Sequence, residues 1–187
     1  MPENAKVARK QRSHELILES AARLVRQRGI AGTSVADVMT GARLTVGGFY
    51  AHFASKEALI DDAIARTGRQ LRARLFRKTG GSAAAVIVAR YLSPEHRDAR
   101  ETGCPLPAVT GEVATTAPAH GPALATEIDA FARELRAALP ARQLSGDRAL
   151  AIVALLSGGL GLSRAVRGTT LSDRILRACR HAALTLV

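Results

Sequence analysis

The sequence predicts an all-α protein of about nine helices, and three features predict it. Apolar residues recur at three- and four-residue steps through most of the chain, the period of a helix with one buried face. Residues that start and stop helices stand at the ends of those runs. Composition agrees, because 47% of the 187 residues are hydrophobic, enough to bury a sizeable core.

The elements follow in order. SHELILESAARLVRQRGI puts Leu16 or Ile17, then Ala21, Leu24 and Val25, on one face. Arg26 and Arg28 suit its last turn, Gly29 the left-handed position after it, and Ile30 the hydrophobic contact beyond. GTSVADVMTG opens the second helix with Ser34 and Asp37 in a capping-box arrangement; Val35, Val38 and Met39 form its stripe and Gly41 ends it. A third short helix covers roughly residues 45–51. ASKEALIDDAIARTGRQLRARLFRK starts at a Ser55 cap and turns Leu59, Ala63, Leu71 and Leu75 inward. TGGS after Lys78 reads as a break, SAAAVIVARYLS as a short buried helix, and residues 94–103 as a charged loop. GCPLPAVTGEVAT follows as a helix with Cys104 at its N-cap and Pro105 at the first position. HGPALATEIDAFARELRAALP is amphipathic through Leu124, Ile128, Phe131, Leu135 and Leu139. DRALAIVALLSGGLGLSRAVRG and LSDRILRACRHAALTLV are the last two helices. The first of these is apolar nearly all round, which marks core or a subunit interface.

Two short helices joined by Gly41-Ala42-Arg43-Leu44 make a helix-turn-helix. The organisation is therefore a three-helix N-terminal domain, residues 1–55, and a larger helical domain, residues 56–187.

Several classes of function find no support. The two cysteines, Cys104 and Cys179, lack CxxC spacing, and the five His form no HxxxH or HExxH pair, so no metal site and no cofactor are indicated. No nucleophile–base pair or paired-carboxylate motif points to an enzyme. The N-terminus has no apolar leader, and the longest apolar run, residues 149–162, is too short to span a bilayer. A cytoplasmic protein with no membrane partner is expected. The formal net charge of +11 rests mainly on Arg and favours phosphate-bearing partners; codon bias toward Arg and Ala is a competing source for part of that excess.

TVGGFYAHF, residues 45–53, carries the functional signal. The chain has four Phe and two Tyr and no Trp, and Phe49, Tyr50 and Phe53 all fall here, beside the adjacent glycines Gly47 and Gly48. A recognition helix must bring its backbone close to base edges and phosphates, and glycine permits that approach. Phe49 and Phe53, four apart, share the face that packs on the first and fourth helices. That packing holds a helix too short to be stable alone. Tyr50 and His52 lie off that face and suit phosphate oxygens, as does Lys56 at the start of the next helix. The competing reading is an ordinary aromatic cluster under a glycine turn.

The segments RQRGIAGTSVADV and LTVGGFYAHFASKEAL decide between them. With Phe49, Tyr50, His52, Phe53, Ser55, Lys56, Glu57 and Leu59 in their order, residues 13–59 closely resemble the N-terminal domain of the TetR (tetracycline-repressor-like) family of transcriptional regulators. The likeness covers roughly a quarter of the chain. It implies a homodimer that binds a double-stranded, palindromic DNA operator as a repressor and is released by a small-molecule effector. Carried over by position, Thr33 and Ser34 touch phosphate, and Thr45, Val46, Gly47 and Gly48 front the groove, with the Val46 methyls suited to a thymine methyl. Strong hydrogen-bonding readers are few, so operator shape and the basic residues 6–12 would add specificity, unless that segment is a solvated tail. The family usually has Gly where this chain has Arg43. Either the turn is built differently, or Arg43 offsets a strained φ by contacting DNA, or the sequence is altered there.

In the larger domain, Phe76, Tyr91, Cys104, Phe131 and Leu155 are candidate effector contacts, equally suited to plain core. The low polar content favours a lipophilic effector. Cys104 reads either as a reactive thiolate at a helix N-terminus or as a small packing residue. By the same resemblance the last two helices pair across a two-fold axis through Leu155, Gly158, Gly159, Leu162, Leu176, Cys179 and Ala183. The alternative function is a nonspecific nucleic-acid-binding architectural protein, which leaves the large C-terminal domain unexplained.

Overall fold

The computed structural model describes residues 2–77, 83–140 and 146–187; the TGGS break expected after Lys78 lies outside them. The described residues form nine α-helices and three 3₁₀ segments, with no strand. The all-α expectation therefore holds.

The first helix, α1 (Pro2–Arg28), is longer than expected. Residues 6–12 are not an extended arm or a loose tail. They continue the helix as exposed turns, because Ala, Lys, Arg and Gln all favour helix even without an apolar face. α1 ends as its sequence indicates. Gly29 takes φ +75° and its N–H bonds the Val25 carbonyl at 3.0 Å, while Ile30 is buried. α2 (Val35–Gly41) starts at Ser34, whose hydroxyl accepts from the Asp37 N–H at 3.0 Å, and buries Val38 and Met39.

The third element is a 3₁₀ segment, Val46–Ala51, rather than an α-helix. Six residues with two adjacent glycines cannot nucleate α-helix unaided, and the Gly48 N–H instead bonds Thr45 O three residues back. Next, α3 (Lys56–Leu75) begins at the Ser55 cap, with Leu59, Ala63, Leu71 and Leu75 buried. It is the spine of the molecule. It packs on α1, to which Arg66 is tied through Glu15 and Glu19 at 2.6 and 3.1 Å. It also packs on α7 (Gly121–Ala137). There buried Arg72 pairs with Glu127 and, at 2.6 Å, with Glu134. Removing one member of such a buried pair costs about 3–5 kcal/mol.

The described residues continue with α4 (Ala83–Tyr91), then α5 (Pro94–Asp98) and the 3₁₀ segment Arg100–Thr102. The expected charged loop is thus largely helical: Ser93 caps it by accepting from the His96 N–H, with Pro94 at the first turn. α6 (Leu106–Thr115) has Pro105, not Cys104, at its N-cap. The 3₁₀ segment Pro118–His120 leads into α7. α8 (Gly146–Ala165) and α9 (Thr170–Leu184) pack side by side, and α7 also packs on α8. The α8 window Asp147–Ala165 is apolar and long enough to cross a membrane, yet 44% of it is buried within the protein.

Candidate nucleic-acid interface

The helix-turn-helix is held from behind by rings. Phe49 is fully buried and Phe53 nearly so; they stack at 5.9 Å, and His14 of α1 stacks on Phe53 at 4.5 Å. In front, the glycines stand open. A methyl group added at Gly47 would meet nothing within 4 Å, and one at Gly48 only Met39 and Thr45 at 3.9 Å. Neither glycine has a positive φ. The fold therefore requires glycine at neither position.

Around this opening, Arg43, Thr45, Val46 and Tyr50 are exposed, Val46 by 52% and Tyr50 by 76%. Ser34 is exposed too, and its hydroxyl hydrogen remains free to donate while the oxygen caps α2. Arg43 takes φ +58°, the left-handed conformation glycine normally supplies. The turn has the usual backbone and Arg43 bears the strain.

Three expectations change. Thr33 is not a surface contact: it is buried, and its hydroxyl donates to Gly29 O at 2.7 Å, closing the loop between α1 and α2. At the start of α3, Lys56 is half-buried. Beside it the Glu57 carboxylate is held below its usual range by its own backbone amide and then the Ser55 hydroxyl, so a negative charge adjoins the expected phosphate contact. His52 is also half-buried. Burial, then His14 and Lys10, push its pKa down, so near neutral pH it offers a neutral ring to a partner.

Missed in the sequence reading is the helical form of the N-terminal basic residues. Lys6, Arg9 and Lys10 share with His52 a cleft of about 580 Å³ between α1 and the recognition segment. Also missed is Glu112 of α6, which accepts from the N–H groups of Ile30 and Ala31 at 3.1 and 2.6 Å. It fastens the larger domain to the α1–α2 loop. No local pattern signals a contact 82 residues apart.

The effector candidates fall together, but as packed core. Tyr91 and Phe131 stack at 5.8 Å with Phe76 edge-on to Phe131 at 6.4 Å; Tyr91, Cys104 and Phe131 are buried, and Leu155 packs against the same core. Cys104 is 1% exposed and burial pushes its thiol up to about 11, which favours the packing reading over a reactive thiolate. An apolar groove of about 610 Å³ lies elsewhere, along α6, α7 and α8. Of the expected dimer contacts, Gly158 and Leu162 face outward, Leu162 by 61%. Gly159, Leu176 and Ala183 are buried inside the protomer. A side chain at Gly159 would collide with Cys179, 2.7 Å away, so both serve the packing of α8 on α9.

Residues 17–63 match the model of bacterial regulatory proteins of the TetR family. Over these residues the chain is similar to the DNA-binding part of TetR-family regulators. Over 48 residues the chain is 42% identical to the HTH-type transcriptional repressor KstR2 of Mycobacterium tuberculosis, an alignment covering 26% of this chain and 24% of that repressor. The whole fold is shared more widely. A TetR-family regulator from Cytophaga hutchinsonii superposes with TM-score 0.76 at 23% identity, covering 95% of this chain and 96% of the other. A TetR-family regulator from Rhodococcus sp. does so with TM-score 0.76 at 22% identity, covering 94% and 98%. Reduced NemR of E. coli gives 0.69 at 21% identity, covering 90% and 95%.

Proposed function

We propose that this TetR-family chain is a sequence-specific DNA-binding transcriptional regulator. It acts as a homodimeric repressor on a two-fold symmetric operator and leaves it when a small-molecule effector binds. Residues 1–55 meet DNA and residues 56–187 provide dimer and effector contacts. The observation that carries this reading is the glycine pair, Gly47 exposed and Gly48 half-buried, demanded by neither packing nor φ and backed by buried rings. Arg43, Thr45, Val46, Tyr50 and Ser34 surround it with donors and one apolar contact, while Lys6, Arg9 and Lys10 extend the positive surface along α1. Phosphate contacts then set the register and the recognition segment reads base edges.

The test is Gly47→Ala and Gly48→Ala. Each replaces the poorer helix former, so thermal stability stays level or rises, by up to about 1 kcal/mol. Operator affinity falls about tenfold or more, because a methyl group now stands between backbone and groove. Alanine variants that bind the operator as tightly as the parent would remove the reading. Against random duplex at physiological salt the parent prefers its operator by about a thousandfold or more; an architectural binder shows no such preference.

A further inference from the structure

The C-terminal end of α1 meets α6, α8 and the 3₁₀ segment Arg100–Thr102 around a cleft of about 280 Å³. Arg26, Arg28, Arg100 and Arg164 all line it. Arg26 is 5% exposed; its Nη1 donates to Gln70 Oε1 at 3.0 Å, and its Nε is buried with no partner. Arg164 is 8% exposed and donates only to neutral acceptors, the carbonyls of Arg97 and His96 at 3.1 and 2.9 Å. Among the described residues no carboxylate pairs with Arg26, Arg100 or Arg164, and Arg28 meets Asp37 only at 3.8 Å with both side chains half exposed.

The carboxylates in the neighbourhood are already engaged. Glu101 accepts from Gln27 at 2.6 Å, Glu112 from the Ile30 and Ala31 N–H groups, and Glu19 from Arg66 and Gln70. Four guanidinium groups are thus gathered in a partly desolvated cleft, where Glu19 and Glu101 act on Arg26 and Asp98 on Arg164 only through space and no carboxylate pairs directly with either arginine. Burial lowers the proton affinity of both Arg26 and Arg164, the same cost seen from the side of the cation. An entering anion would relieve that cost.

We propose that this cleft binds a small molecule carrying a carboxylate or phosphate group. The guanidinium groups of Arg26, Arg100 and Arg164 hold the anion, and its body lies against Pro107, Ala108 and Gly161. The cleft joins the helix that leads into α2 to α6 and α8. Under the regulator reading an occupant would therefore bear on the recognition segment. The binding itself does not depend on that reading.

The experiment is calorimetric titration of the full chain, without DNA, using inorganic phosphate and separately succinate, at constant ionic strength with chloride as the background anion. Saturable one-to-one binding of at least one of them is expected, and which one binds distinguishes phosphate from carboxylate ligands. Arg100→Gln removes an exposed side chain with no partner among the described residues, so folding is kept; it weakens binding about tenfold or more. Arg133→Gln, exposed on α7 and outside the cleft, leaves binding unchanged. Absence of saturable binding of both anions, or binding that survives Arg100→Gln, or equal loss in Arg133→Gln, overturns the proposal. None of these outcomes touches the glycine test above, since no DNA is present.

Discussion

Arg43 condenses the tension between folding and function into one residue. Among the described residues it alone combines a side chain with a positive φ, +58°, a conformation costing a non-glycine residue about 1 kcal/mol. Its side chain is exposed and makes no hydrogen bond or ion pair among the described residues. Arg43→Gly should therefore raise the melting temperature by about 2–4 °C, measured by calorimetry. Under the regulator reading the same change weakens operator binding and lowers the slope of log K against log salt by about one. A fall in melting temperature would show that the guanidinium stabilises the folded state by more than the backbone strain costs. The strained position was legible in the sequence from the departure at the turn; that the backbone keeps its shape and Arg43 absorbs the cost was not.

Between elements, His96 is a stitch whose protonation state the geometry dictates. Its Nδ1–H donates to the Tyr91 carbonyl at 2.7 Å, at the end of α4, and its Nε2 accepts from the Cys104 N–H at 3.1 Å, just before α6. Only the neutral ring makes both bonds. Burial, with Arg164 nearby, brings its pKa from 6.5 to about 4. Above pH 6.5 neither folded nor unfolded His96 is charged, so it adds no pH dependence there. Below that, the unfolded chain takes up a proton that the folded chain refuses until about pH 4, and stability falls. Between pH 6.5 and 5 the loss is about 2 kcal/mol, read by urea unfolding at each pH. His96→Gln, less stable at pH 7, gives a flatter profile across that window, whereas an unchanged slope assigns the effect to other groups. The elements joined here also mark where sequence reading stopped. Capped amphipathic helices such as α2 and α3 were legible, because Ser34 and Ser55 announce them and the apolar stripes follow. α5 and the first turns of α1 were not, since they bury almost nothing and a charged run looks alike as helix or loop. Cys104 shifted by one position because Pro105 fits the N-cap as well as the first turn. Partners such as Glu112 and Ile30 meet only through tertiary packing, which no local pattern encodes.

At the scale of the whole molecule, the unpartnered surface is the outer face of α8. Leu150, Ala154, Gly158 and Leu162 follow one another at four-residue steps; Leu150, Ala154, Gly158 and Leu162 are all exposed, and they line the apolar groove between α8 and its neighbours. The residues expected at a dimer interface divided here by helical geometry. Gly158 and Gly159 sit 100° apart around the axis, so one faces solvent and the other abuts Cys179. The sequence shows α8 to be apolar all round but not which stripe α9 and α7 already cover. A two-fold operator needs two recognition segments held one helical turn of DNA apart, and a second copy covering the α8 face would supply the second. Gly158→Arg tests this without disturbing the protomer, because a side chain there meets nothing within 4 Å. The variant should keep its helical circular dichroism, sediment as a monomer, and bind operator at least about tenfold more weakly, since each half-site must then be held alone. A Gly158→Arg protein that sediments as a dimer of undiminished strength would place the two-fold axis on another surface, and α9, where Leu171 and Leu184 are exposed, would be the next to change.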